Sequence, residues 1–204
     1  MAVLTGDEIV ISKWAALKGT ADLTSENEEE LKASFPSMFV ENALNLKEFC
    51  STEKEREIAL SLEPSLIMEA GEKGIYGSLW DLGETAGTGF DVYLRDIPMR
   101  QETIEIAELF DLDPYLMDSG GALIICTKRG YALSKALKEA GLPAAVIGTV
   151  TDSNDRVVIF NEVRRFLSPG EWKSRGDTSS VTADAVPPSP QGEGDYIQGD
   201  RNDG

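Results

Sequence analysis

The sequence predicts an α+β domain in which a mixed β-sheet is flanked by helices, and three observations lead to this expectation. Residues 121–126 contain a continuous apolar run, Ala-Leu-Ile-Ile-Cys, which is typical of a strand buried on both faces. Residues 90–94 alternate with period two, as in a strand with one buried face. Ile75, Leu79, Leu82 and Ala86 recur at helical spacing. A mixed sheet covered by helices is the natural way to bury all these faces.

The other elements follow from end signals and periodicity. Strands are expected at 7–12, 90–94, 121–126, 144–150 and 156–160, the last two as a hairpin. A turn with a short element follows the first strand, and the segment 65–68 is interpreted as a short apolar bridge. Helices are expected after the capping box Ser25-x-x-Glu28, at about 37–49, from the capping box Thr52-x-x-Glu55 to about 62, at 101–110 with Ile104, Ala107 and Phe110 inward, and after Thr127 as N-cap.

Composition divides the chain and excludes several classes of function. Residues 1–167 are expected to form one domain, whereas 168–204 are an acidic tail rich in Gly, Pro and Ser that is expected to be disordered. The net charge of −17 argues against binding to nucleic acid and to anionic membranes. No apolar run reaches the roughly 20 residues of a membrane span. The N-terminal residues do not resemble a signal peptide, so a cytoplasmic location is expected.

Two residue types limit the chemistry further. The chain contains no histidine, which removes His-based triads, His-ligated zinc and His acid/base catalysis. Its two cysteines, Cys50 and Cys126, cannot form a disulfide scaffold, and both are expected to pack in the interior.

The candidate functional stretch lies immediately before the central helix. Gly71, Gly74 and Gly77 predict a tight turn feeding a helix N-terminus, where unpaired N–H groups can meet an anion. Glu69 and Glu72 flank this turn and could hold a cation or cap the helix. A well-packed helix start with no ligand explains the same spacing, and the sequence leaves both interpretations open.

Several segments in order resemble the C-terminal half of the AIR synthase (PurM-like) superfamily, especially the AIR synthase-related proteins of the HypE type that serve hydrogenase maturation. The resemblance covers about residues 6–169. The segments that carry it are Gly-Asp-Glu-Ile-Val-Ile-Ser-Lys-Trp, Leu-Lys-Gly-Thr-Ala, Gly-Ile-Tyr-Gly-Ser-Leu-Trp-Asp-Leu, Asp-Ile-Pro-Met-Arg-Gln-Glu-Thr, Phe-Asp-Leu-Asp-Pro-Tyr, Ser-Gly-Gly-Ala-Leu-Ile-Ile and Ala-Ala-Val-Ile-Gly-Thr-Val-Thr.

The resemblance implies a nucleotide site with specific residues. Phosphate or nucleotide contacts would come from Gly71, Lys73, Gly74, Gly77 and Gly120. Glu69 and Glu72 would bind Mg²⁺, although Glu69 replaces an Asp of the family motif His-Asp-Val-Thr-Glu-Gly-Gly. Met68 replaces the His, Gly71 the Thr and Lys73 the first paired Gly of the same motif. The family's N-terminal half, which carries the ATP-grasping loop and most magnesium-binding acids, has no counterpart in this sequence.

Three hypotheses follow from this pattern. The first expectation is a degenerate standalone C-terminal domain that binds a partner chain or a small ligand without turnover. The alternative is half of an enzyme that uses ATP and Mg²⁺, both bound only when a partner supplies the N-terminal half. The last is a truncated paralogue without function. A face that normally docks on an N-terminal domain would be covered by self-association, giving a homodimer, or by that partner.

Overall fold

The computed structural model describes residues 2–168. The predicted disordered tail lies outside the described residues except for Ser168. Within these described residues, seven strands form one sheet in the order β2-β4-β1-β5-β3-β6-β7. Their bounds are β1 Glu8–Ser12, β2 Leu66–Glu69, β3 Phe90–Tyr93, β4 Leu123–Thr127, β5 Ala144–Val150, β6 Arg156–Phe160 and β7 Val163–Phe166. The neighbouring strands pair antiparallel except β3 and β6, which are parallel, so the predicted mixed sheet is confirmed.

Residues 2–168 contain seven α-helices, which pack on the sheet or beside it. They are α1 Leu17–Glu26, α2 Glu28–Ser34, α3 Ser37–Leu44, α4 Glu53–Leu60, α5 Gly74–Ala86, α6 Gln101–Leu109 and α7 Gly130–Glu139. Short 3₁₀ helices lie at Asn45–Phe49, Leu94–Asp96 and Pro114–Leu116. Among the described residues no helix is long and apolar enough to cross a membrane.

The core has a layer on each face of the sheet. Ile9 and Ile11 of β1 pack in the same cluster as the buried side of α5, whereas Val10 packs with α4 and α7 on the opposite face. This division follows from the strand period of two. A separate cluster, centred on Leu31 and Ile106, holds α2, α3 and α6 together beside the sheet.

The sheet corrects the predicted strand pairing. The expected hairpin of β5 and β6 is wrong, because β3 lies between them and pairs with both. Residues 151–155 carry the chain past the start of β3, and the amides of Gly89 and Phe90 donate to the carbonyls of Ser153 and Asp155 at 2.7 and 2.9 Å. Local turn length cannot reveal a strand inserted from elsewhere in the chain. β2 replaces the predicted apolar bridge, and β7 adds an edge strand.

Two helix starts differ from the sequence expectation, and a third is confirmed without its predicted capping hydrogen bond. Ser25 lies in the last turn of α1, a ten-residue helix where a short element was expected, and Asn27 is the N-cap of α2. Arg129, rather than Thr127, caps α7, although the Thr127 hydroxyl accepts the Arg129 amide at 3.1 Å. Thr52 does precede α4, but its side chain makes no capping hydrogen bond. A local capping motif therefore does not by itself fix where a helix begins, since most helical stability comes from packing of the helix face.

Helix interiors differ from the prediction at two places. The expected single helix at 37–49 is divided into α3 and the 3₁₀ helix Asn45–Phe49. In α6, Ile104 is 48% exposed instead of buried, whereas Ala107 is buried as predicted and Phe110 lies at the C-terminal cap, partly buried. Glu102 and Thr103 take the inward positions, because α6 faces polar groups of α1, including the Thr20 hydroxyl 2.9 Å from that of Thr103.

Candidate functional site

A rigid glycine turn joins β2 to α5. Gly74 has φ +66°, a left-handed conformation that favours glycine. A Cβ at this position would collide with the carbonyl oxygen of Tyr115 and would lie 2.8 Å from the Leu116 Cα. The Gly74 amide donates to the Gly71 carbonyl at 3.0 Å, and the Ser119 amide donates to the same carbonyl at 3.1 Å. The turn is therefore fixed both internally and by the segment 115–119.

Ser78 and the absence of a side chain at Gly77, both within α5, complete the turn. The Ser78 hydroxyl donates to the Gly74 carbonyl at 2.6 Å and lies 3.3 Å from the Gly71 amide, which donates to it. Gly77 leaves room for the stem of Lys73, because a Cβ at residue 77 would collide with the Lys73 Cβ. Neither Ser78 nor the role of Gly77 in seating Lys73 was evident from the sequence.

The second wall of the site is formed by residues 117–121 and the start of α1. The Asp118 carboxylate accepts the Gly120 amide at 2.8 Å and the Lys18 ammonium at 2.6 Å. The Ala16 amide donates to the Ser119 hydroxyl at 2.9 Å, and the Gly19 amide to the Asp118 carbonyl at 2.8 Å. Its hydrogen bond to Asp118 raises the pKa of Lys18. Lys18 therefore stays protonated at neutral pH, beside the Gly120 backbone.

The structure brings the predicted anion-binding residues together. Gly71 and Gly74 share one turn, and the Ser119 amide links that turn to Gly120 through the adjoining peptide. Lys73 lies at the N-cap of α5 and its ammonium contacts the exposed Asp81 carboxylate at 3.1 Å. The sequence missed Lys18 and Asp118, because their importance depends on a contact across 100 residues.

The sequence predicts two metal ligands, Glu69 and Glu72. Glu69 ends β2 and Glu72 lies inside the turn, and both side chains are exposed. Across residues 2–168 no group of three or more Cys, Asp or Glu side chains is arranged to hold a metal ion. Mg²⁺ prefers six oxygen ligands in near-octahedral geometry. The two carboxylates would therefore need ligands from water, a phosphate or another chain.

A family model and curated relatives match this sequence. The family model described as "AIR synthase related protein, C-terminal domain" matches residues 5–161. The phosphoribosylformylglycinamidine synthase subunit PurL of Campylobacter lari is 35% identical over 89 residues, which are 43% of this chain and 12% of PurL.

Solved structures share the fold at low sequence identity. HypE of E. coli, a hydrogenase maturation protein, has a TM-score of 0.67 at 19% identity, covering 85% of this chain and 53% of HypE. A HypE in complex with ATP has a TM-score of 0.60 at 18% identity, covering 81% of this chain and 51% of that protein. The chain thus spans about half the length of these neighbours and a smaller share of PurL.

Proposed function

Because the chain belongs to the AIR synthase-related family through its C-terminal domain, we propose that it binds a partner chain or a small phosphate-bearing ligand at the glycine turn and has no turnover by itself. The observation that carries this proposal is the fully built turn at the N-terminus of α5. Gly74 and Ser78 hold its backbone in place.

The turn has the features of an anion site. The N-terminus of a 13-residue helix opens at Gly74, and its partial positive charge favours a phosphate group. Lys73 and Lys18 add two ammonium groups, although each already contacts a carboxylate. A bound phosphate would have to compete with Asp81 for Lys73, so we expect weak binding by the single chain.

A partner chain would strengthen this site. The chain covers about half of the HypE structures it resembles, and the PurL relative is named as a subunit. A protein that supplies the N-terminal half of the superfamily would bring the missing metal ligands opposite Glu69 and Glu72. A homodimer would cover the same face, and we expect either assembly in the cytoplasm.

Calorimetry with pyrophosphate and with ATP, each with and without Mg²⁺, tests ligand binding by the purified chain. We expect saturable binding without Mg²⁺, at least tenfold weaker in Lys73→Ala. Lys135→Ala, which removes an exposed lysine paired with Glu139 on α7, is the matched control and should bind like wild type. Release of phosphate from ATP by the chain alone, reduced by Glu69→Ala, would contradict the absence of turnover.

A second candidate function is half of an ATP- and Mg²⁺-dependent enzyme. It is favoured by the fold shared with a HypE that binds ATP and by Glu69 at the end of β2. Mixing the chain with the N-terminal half of an AIR synthase-related protein should then produce Mg²⁺-dependent ATP hydrolysis that Glu69→Ala removes. If the chain bound neither the phosphate ligands nor that half, the remaining hypothesis would be a paralogue without function.

A further inference from the structure

The last strand of the sheet is presented on a rigid hairpin. β6 and β7 pair antiparallel across the two-residue turn of Asn161 and Glu162, whose φ angles are +48° and +68°. Two successive left-handed residues are the turn geometry that matches the twist of paired strands. All four side chains of β7 are exposed, Val163 to 68% and Phe166 to 62%. This strand is paired with β6 on one side, and its side chains are exposed.

The outer edge of β7 carries hydrogen-bonding groups for another strand. The Leu167 amide donates back to the Arg156 carbonyl of β6 at 2.8 Å. Backbone groups alternate direction along an antiparallel strand. The amides and carbonyls of Arg164 and Phe166 therefore point away from β6, and β7 is the last strand of the described sheet on that side.

One face of β7 borders a cavity lined by apolar, aromatic and charged side chains. Val163 and Arg165 lie on the same face as their partners in the β6 register, Phe160 and Val158. The cavity has a volume of about 480 Å³, and its lining also includes Tyr76, Leu94, Tyr115 and the acidic Asp113. A strand added to β7 would place alternate side chains at this cavity and on the opposite face.

The charges on β7 determine what kind of strand fits. Its sequence is Val-Arg-Arg-Phe, so two adjacent arginines project to opposite faces. Arg164 contacts Asp91 at 2.8 Å and is 58% exposed, whereas the Arg165 guanidinium lies 5.3 Å from the Tyr76 ring centroid. Pairing β7 antiparallel with a second copy of itself about Arg164 or Arg165 would bring two arginines together, which is destabilising. Acidic residues opposite both arginines would be favourable.

We propose that β7 is a docking edge for an extended segment of a partner protein in which two adjacent acidic residues are flanked by apolar residues. The acidic pair lies opposite Arg164 and Arg165, and the apolar residues lie opposite Val163 and Phe166. The cavity beside β7 adjoins the glycine turn through Tyr76 and Tyr115. The proposed strand pairing uses only the outer edge of β7, so the proposal holds whether or not that turn binds a ligand.

Fluorescence anisotropy with a labelled synthetic peptide tests this proposal on the full chain. The peptide carries Ile-Glu-Glu-Phe at its centre, and a matched peptide carries Ile-Lys-Lys-Phe. Because the chain has a net charge of −17, non-specific attraction would favour the lysine peptide. We expect the reverse, with at least tenfold tighter binding of the glutamate peptide and saturation below about 1 mM.

Two variants locate the binding edge. The first is a double variant, Arg164→Glu with Arg165→Glu, which should bind the lysine peptide more tightly than the glutamate peptide. Phe166→Pro keeps both arginines and removes one outward amide, and it should weaken the glutamate peptide at least fivefold. Circular dichroism establishes that each variant is folded.

Two results would overturn the proposal. The first is a preference for the lysine peptide by the unmodified chain, or no saturable binding of either peptide. The second is a dimer, seen by sedimentation velocity, that Phe166→Pro dissociates, because the edge would then belong to a second copy of this chain.

Discussion

Gly74 illustrates how one residue determines the local structure of the candidate site. Its left-handed φ and the nearby Tyr115 carbonyl leave no room for a side chain, whereas a Cβ at Gly71 would meet no atom within 4 Å. Gly74→Ala is expected to lower the free energy of unfolding by about 2 kcal/mol or more. Gly71→Ala, the matched control in the same turn, should change it by less than about 0.5 kcal/mol. Urea unfolding measures both, and equal effects would contradict the assigned geometry.

Lys13 is a buried cation with a structural role. It is 2% exposed, its ammonium donates to the carbonyls of Phe49 and Ser51 at 2.6 and 2.5 Å, and it contacts the buried Glu55 at 2.9 Å. Lys13→Met would leave the Glu55 carboxylate without its cation and should cost about 3–5 kcal/mol.

The double variant Lys13→Met with Glu55→Met should recover part of that loss, because no unpaired charge stays buried. Lys135→Met, which removes an exposed ion pair, should change stability by less than about 0.5 kcal/mol. Thermal unfolding compares the three proteins. A double variant no more stable than the single one would contradict the importance of the pair.

The two thiols should be unreactive in the folded protein. Burial raises the pKa of the Cys126 thiol to about 12 and also raises that of the partly buried Cys50. Since the thiolate is the nucleophile, reaction with a disulfide reagent at pH 8 should be slow in the native state and complete in denaturant. Rapid labelling of the native chain at Cys126 would contradict its buried position in β4.

At the scale of elements, α6 provides a dependence of stability on pH. Burial alone would raise the pKa of the Glu102 carboxyl, but hydrogen bonds from Arg100 at 2.9 and 3.0 Å, with further hydrogen bonding and charge attraction, lower it overall. A carboxyl whose pKa is lowered by folding stabilises the protein above its unfolded pKa of about 4.3. That contribution is lost as the pH falls through the folded value.

Glu102→Gln should therefore reduce the loss of stability between pH 6 and pH 3, measured as the shift in urea midpoint. Glu108→Gln, on the exposed side of the same helix, is the matched control and should behave like wild type in this comparison. The same acid dependence in wild type and Glu102→Gln would show that the Arg100 contact does not stabilise the folded state.

Strand prediction succeeded where the sequence itself carries the signal of burial. β4 was predicted from its apolar run and β3 from its alternation. Both patterns report directly which individual side chains are buried. β2 was missed because its four residues are only partly buried or exposed, and β7 because its four residues are all exposed. The position of β3 between β5 and β6 depends on contacts about 60 residues apart.

For the whole molecule, the predicted boundary of the domain can be tested by shortening the chain. Leu167 is 5% exposed and its amide bonds to β6. A chain that ends at Ser168 should keep its melting temperature within about 2 °C of the full chain. A chain that ends at Glu162 loses β7 and the buried Leu167, so its melting temperature should fall by about 5 °C or more.

A fall of similar size in the chain ending at Ser168 would show that residues 169–204 contribute to the stability of the domain. Both chains should be compared at equal concentration, because association would also shift the melting temperature.

The sequence by itself determined the fold class, the main core strands, the family and the location of the glycine turn. These properties follow from apolar periodicity and from residue types at short spacing. Because helices and strands have fixed backbone periods, residues at those spacings lie on one face, and an apolar face is buried. Only the tertiary structure decided the strand order, the contact of Lys18 with Asp118, the burial of Lys13 against Glu55 and the exposed edge at β7. Each depends on segments that are distant in sequence and meet because the shared core brings them together.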